Sequence, residues 1–174
     1  MTEPTKVIVR RVCADDSLLS RLADFRCADQ NADHEIEVER WIQDQLASWA
    51  FDPGAARDEP QVLAALDDQT EALIGLFAHE HAVMQVGDVI IPAEKIAVVA
   101  VGLDYQRQRD VDNRRYSDIV MSSGLQAIER RTPPQRRVFG YAHIDNGGSF
   151  RLLERHSMAR RIPIDAMTQL VTHG

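Results

Sequence analysis

Three stretches of the chain carry residues whose types and spacing suit chemistry. The first is Asp104 to Arg115, a polar loop holding Gln106, Arg107, Arg109, Arg114 and Arg115. An apolar strand, Lys95 to Leu103, precedes it, and a helix opens after it near Tyr116-Ser117. A loop that runs into a helix N-terminus offers unpaired backbone N–H groups and the positive end of the helix dipole. Four arginines beside it suit a phosphate anion. An arginine-rich surface loop is the plainer alternative. The second stretch, Ala142 to Met158, holds Asn146 and Ser149 between His143 and His156. The third is His79-Glu80-His81. On a strand the two histidines face one way and Glu80 the other. Either histidine or Glu80 could deprotonate an amine. No third ligand stands at metal-site spacing, so no metal is expected. A solvated strand end explains the same three residues.

Other chemistries find no support. Cys13 and Cys27 have no acid–base partner in sequence and form no disulfide framework, which reads as reduced thiols of a cytoplasmic protein. There is no hydrolase elbow and no Walker loop. The basic segments lack interleaved aromatics, and the net charge of −7 argues against nucleic acid as the main partner. The charge is uneven, −12 over residues 1–104 and +5 from Tyr105 onward. That asymmetry fits an anionic cofactor on one side and a cationic acceptor on the other. Arginine outnumbers lysine 18 to 2, which source-genome composition explains as well as binding does.

The elements that must position these residues read as follows. Lys6 to Val12 predicts a strand, and Asp15-Asp16-Ser17 a helix start with Leu18, Leu22 and Phe25 on one face. Asp33 to Trp49 predicts a helix with Val38, Trp41, Ile42, Leu46 and Trp49 in one stripe, ended by Asp52-Pro53-Gly54. Val62 to Leu66 and Leu73 to His81 read as hairpin strands about the turn Asp67 to Thr70. Gly87-Asp88 and Pro92 predict an irregular approach to the central strand. That strand is almost wholly apolar, so both faces should be buried. Ser117 to Arg130 predicts a helix burying Val120, Met121, Gly124 and Ile128. Gly124 there allows close approach to the sheet, and Pro133-Pro134 forbids continuation. Val138 to Ile144 is a strand, Ser149 to Arg155 a short helix, and Ile162 to Val171 one or two strands. The result is one α/β domain over residues 1–174, a mixed sheet with helices on both faces. No apolar run is long enough for a membrane span.

Taken together, the strand-loop-helix at Lys95 to Arg131 and the Ala142 to Met158 segment resemble the GNAT superfamily of acyl-CoA N-acyltransferases. Gln106 matches the first residue of that family's Gln/Arg-x-x-Gly-x-Gly/Ala loop, while Arg109 and Val111 replace its small residues. Asn146 matches the family's Val-x-x-x-Asn segment, with Ala142 at the valine position and Ser157-Met158 in place of Gly-Phe. The resemblance implies a mostly antiparallel sheet that splays beside the central strand. It implies acetyl-CoA as cosubstrate, with pantetheine amides bonded by the backbone of Val99, Ala100 and Val101. Gln106, the loop arginines and Ser117 would hold the pyrophosphate. Asn146 would contact the cofactor arm or cap the short helix, near Ser149.

The family often places a tyrosine acid on that short helix. Here Leu153 or Leu152 stands there, so the proton role is dispensable, filled by water, or absent. Tyr116, like Glu80, is a candidate for proton transfer. The implied activity is acetyl transfer to a primary amine of a small molecule or protein, by a homodimer. An aminoacyl-tRNA is the one nucleic-acid acceptor this reading admits. The rival is a GNAT-shaped binding or regulatory module without turnover.

Overall fold

The computed structural model describes residues 4–29, 33–52, 59–86, 88–131, 137–158, 160–163 and 168–172. Among these residues seven strands form one sheet in the order β1-β2-β3-β4-β5-β7-β6. They are β1 (Val7–Arg11), β2 (Gln61–Asp67), β3 (Leu73–Val86), β4 (Val89–Val101), β5 (Arg137–His143), β6 (Arg160–Pro163) and β7 (Thr168–Thr172). All neighbouring pairs are antiparallel except β4–β5, which is parallel. The crossover between those two is α3 (Tyr116–Arg131), as a parallel connection requires. The other helices are α1 (Asp33–Asp44), α2 (Leu46–Phe51) and α4 (Gly147–Arg155). No helix among the described residues is long and apolar enough to cross a membrane.

Two apolar layers sandwich the sheet. On one face α1, α2 and the 3₁₀ helix Ser17–Asp24 pack Leu18, Leu22, Ile42, Leu46 and Trp49 against Val62, Ala64, Leu76, Ala78, Val98 and Ala100. On the other, α3 and α4 pack Tyr116, Val120, Met121, Ile128, Phe150 and Leu153 against Leu63, Phe77 and Ile96. The expected stripe of α3 is buried throughout. Gly124 is its point of closest approach, because a Cβ there would lie 2.3 Å from the Phe77 ring.

Three expectations are corrected. The Asp33 to Trp49 helix is interrupted at Gln45, whose φ of −126° and ψ of −25° leave the helical region. The Gln45 N–H still reaches the Trp41 carbonyl, so the chain bends without unwinding. Val38 is exposed rather than part of the buried stripe. Residues 89–94 are regular strand, not an irregular approach, and β3 extends correspondingly beyond His81. Pro92 is tolerated because, among the described residues, the β5 ladder begins at Ala93 and no strand residue pairs with Pro92 on that side. Pro53-Gly54, Gly87 and Pro133-Pro134 lie outside the described residues.

Candidate active site

The site starts from a register shift. In the β3–β4 ladder Ala78 pairs with Val98 and His79 with Ile96, leaving Ala97 as an extra residue in β4. A bulge of this kind bends its strand and increases the local twist. The β4–β5 ladder ends at the same point, since Ile96 and Gly140 are its last pair. Beyond it β4 runs on to Val101 and β5 to His143 without pairing to each other, β4 staying bonded to β3 and β5 to β7. The sheet therefore opens as a V with its vertex at Ile96/Gly140. Val99, Ala100 and Val101 pair with β3 on one side and, among the described residues, have no strand partner on the β5 side. Main-chain groups on such an edge must find partners outside the ladder.

The loop at the open end is built by a carboxylate rather than by glycines. Asp110 is 3% exposed. It accepts from the N–H groups of Asp112 at 3.0 Å and Arg114 at 2.8 Å, and from Arg114 Nε and Nη2 at 2.9 and 2.6 Å. Burial pushes its carboxyl up, but the bonds and charge of Arg114 outweigh that and hold it below the usual range. Arg114 also meets Asp112 at 3.2 Å, and Arg109 Nη1 donates to the Asn113 carbonyl at 2.6 Å. Two of the four arginines thus shape the loop. Arg107 and Arg115 are exposed and form no ion pair among the described residues. Arg107 and Asn113 hold positive φ of 63° where the family pattern relies on small residues elsewhere. Gln106 Nε2 donates to the carbonyls of Cys27 at 2.7 Å and Val101 at 3.1 Å, tying the loop to the end of β4. At the start of α3 the N–H groups of Asp118 and Ile119 both return to the Arg115 carbonyl. Those of Tyr116 and Ser117, ahead of them, are the groups a helix leaves unsatisfied.

On β5's far side Asn146 caps α4, its Oδ1 accepting from Ser149 N–H at 2.8 Å. Capping is one of the two roles expected of Asn146. Leu153 is buried and Leu152 partly so, and neither carries a proton. Arg155 forks onto Asp118 Oδ1 at 2.9 and 2.7 Å, fastening α4 to α3.

The candidate proton-transfer residues are placed elsewhere. Tyr116 is 1% exposed, and its hydroxyl accepts from the Thr5 N–H at 3.1 Å, which makes it a packing anchor. Glu80 pairs with Lys95 at 3.2 Å on the face opposite α3. His79 and His81 do share one face, where both bind Glu94, through Nδ1 at 2.6 Å each. Burial pushes the Glu94 carboxyl up, but the two imidazole hydrogen bonds hold it below its usual range. Arg131 Nη1 stands 3.7 Å from the same carboxylate. Among the described residues no three His, Cys, Asp or Glu side chains are arranged to hold a metal ion.

Glu94, Asp110 and the bulged Ala97 were not singled out by sequence reasoning. Glu94 meets the histidines only through strand register, which spacing does not encode. Asp110 had a signal, because Asp followed two residues on by another turn former is an Asx-turn pattern.

No family model and no curated protein sequence matches the chain. Solved structures do. The chain has a GNAT-like fold. An N-acetyltransferase, PaiA, from Thermoplasma acidophilum in complex with coenzyme A superimposes with a TM-score of 0.61 at 11% identity, covering 96% of this chain and 98% of that one. A mutant AtaT toxin bound to the C-terminus of its antitoxin AtaR and acetyl-CoA gives 0.59 at 12% identity, covering 96% and 93%. The NatC complex bound to Gag peptide and CoA gives 0.57 at 11% identity, covering 96% of each. At such identities the likeness speaks to fold alone.

Proposed function

We propose that this GNAT-like chain transfers an acetyl group from acetyl-CoA to a primary amine. The observation that carries the reading is the V at Ile96/Gly140, opening toward the Arg107–Ser117 loop and the N-terminus of α3. Pantetheine amides would bond the free edge of Val99, Ala100 and Val101, with the phosphates near Arg107, Arg115 and the N–H of Ser117. Gln106, Arg109 and Arg114 would act indirectly by holding the loop in shape. Asn146 and Ser149 would do the same for the α4 end of the cleft. The acyl group then lies at the vertex, so an N–H at the Ala97–Val98 bulge is better placed to polarise the carbonyl than one at Val101. Val101 sits at the mouth, its carbonyl held by Gln106. The reading carries with it a single cytoplasmic domain acting as a homodimer, with an acceptor that is a small amine or a protein amine.

One observation favours the binding-module rival. The α4 position that would donate a proton is the buried Leu153. Thermal melting with CoA and acetyl-CoA tests the shared premise. A ligand selective for the folded state raises the melting temperature, and no shift at large excess removes both readings.

A further inference from the structure

At the end of the sheet away from the V, β3 and β4 leave their neighbours behind. The β2 ladder reaches β3 only as far as His79, opposite Gln61, and the β5 ladder starts on β4 at Ala93, opposite Arg137. β3 and β4 stay paired to each other past both points, from Ala82↔Ala93 out to Val86↔Val89. Among the described residues this makes a two-stranded arm that no further strand flanks. A lone hairpin is marginal in water. The composition of this one makes it more so. Residues 82–93 carry a single charge, Asp88, in a chain that is 27% charged. Strands at a sheet edge are ordinarily guarded by charge. Here Ile90 at 68%, Val83 at 66% and Val89 at 60% are the most exposed large apolar side chains among the described residues.

Register gathers three of the arm's side chains on one face. Phe77 packs under α3, and alternation along β3 carries that face through His79 and His81 to Val83. Pro92 lies opposite Val83, and Ile90 opposite Gln85, so Val83, Ile90 and the exposed Pro92 share it. α3 stops short of them. Its last residue, Arg131, reaches Glu94, the next residue inward of Pro92 on that face. The other face is anchored, since Met84 is buried with Ala93 and Phe139. The arm is therefore held to the body from one side and presents an apolar patch on the other.

The chemistry of the patch selects its occupant. A charged protein surface finds only Asp88 to pair with. A lipid surface draws segments flanked by Lys and Arg, whereas the charges beside this arm are Asp88, Glu94 and the Glu80–Lys95 pair, on a chain of net charge −7. A second copy offers the same apolar patch, and a two-fold axis sets like on like. Lasting homodimer interfaces are apolar in just this way. There is area for one. The chain exposes 10174 Å², where a compact monomer of 19.6 kDa exposes roughly 8,600 Å². That surplus exceeds the ~800 Å² each partner gives to a standard interface. The reading above carries a homodimer with no surface assigned to it. Building on that reading, we propose that the β3–β4 arm is the surface, Val83, Ile90 and Pro92 packing against the same patch of a second copy.

Sedimentation equilibrium of the full chain across the micromolar range tests this. Wild type should sediment as a dimer, with a melting temperature that rises with protein concentration. Val83→Lys with Ile90→Lys should weaken association at least ~100-fold, because the lysines meet their own copies across the axis, with an unchanged far-UV spectrum. Should the lysines prevent folding, Val83→Ser with Ile90→Ser replaces them and should weaken association about tenfold or more. Ile8→Lys, on the exposed face of β1 at the far side of the sheet, should leave the dimer intact. A wild type that is monomeric throughout overturns the proposal, as does a folded arm variant that dimerises like wild type. A monomeric wild type that floats with lipid vesicles overturns it too, and gives the arm to a lipid surface. None of these results bears on CoA binding, whose own failure is read separately from melting with CoA.

Discussion

Ile96 and Gly140 form the last rung between β4 and β5, and one residue further the strands have parted. At the same level on the other side of β4, Ala97 has no partner in β3. Removing Ala97 would restore regular pairing of Val98 and Ile96 with Ala78 and His79, while leaving both side-chain faces as they are. The deletion variant should fold and lose at least about tenfold in CoA affinity, since a straightened β4 lets the ladder close. Calorimetric titration with CoA, beside a far-UV spectrum, checks this. A folded deletion variant with wild-type affinity would separate the bulge from the cleft.

The loop arginines should divide into two classes. Arg107→Ala with Arg115→Ala should weaken CoA binding and flatten its salt dependence, because exposed cationic forks act through screened charge. Arg114→Ala should instead lower the melting temperature, since it strips Asp110 of two side-chain bonds and leaves a buried carboxylate short of partners. Measuring affinity at two salt concentrations and melting temperature for both variants distinguishes the classes. The same behaviour in both would mean the division is wrong.

Glu94 makes the fold acid-sensitive in a definite window. Its carboxyl is held below the ordinary range in the folded chain, whereas an unfolded glutamate titrates near ~4.3. Its contribution is therefore complete above about pH 4.3 and is lost as pH falls through the lower folded value. Glu94→Gln should be less stable than wild type at pH 7, with the gap narrowing toward pH 3. Denaturant midpoints along that pH range provide the check, and a constant gap would contradict it.

Gly124 sits against Phe77 with no space for a methyl group. Gly124→Ala gains about 1 kcal/mol of helix propensity but must displace an aromatic ring, an overpacking that costs ~1–3 kcal/mol. The expected net result is neutral to destabilising despite the better helix former. A rise in melting temperature would show that α3 can lift from the sheet cheaply.

Much of this architecture was legible because burial writes itself into periodicity. The all-apolar Ala97 to Val101 stretch, the stripe of α3 and the glycine within it each point to their packing before any coordinates. The ends of elements were less legible. Gln45 interrupts a helix without any glycine or proline, and Pro92 hides inside a strand because no described residue pairs with it on the β5 side. The site divided along the same line. Local pattern located the loop and the Asn146 cap. It gave no view of Glu94 beneath the two histidines, because that depends on which residue of one strand lies opposite which residue of another. Arginine count likewise said nothing of which guanidinium groups Asp110 would claim.

Single-turnover release of free thiol from acetyl-CoA, with and without a panel of primary amines, tests the functional reading most directly. Acyl transfer predicts thiol release that depends on the amine, accompanied by one acetyl group on the amine per thiol freed. Binding of acetyl-CoA with thiol release no faster than in the amine-free control, for every amine tried, would contradict it.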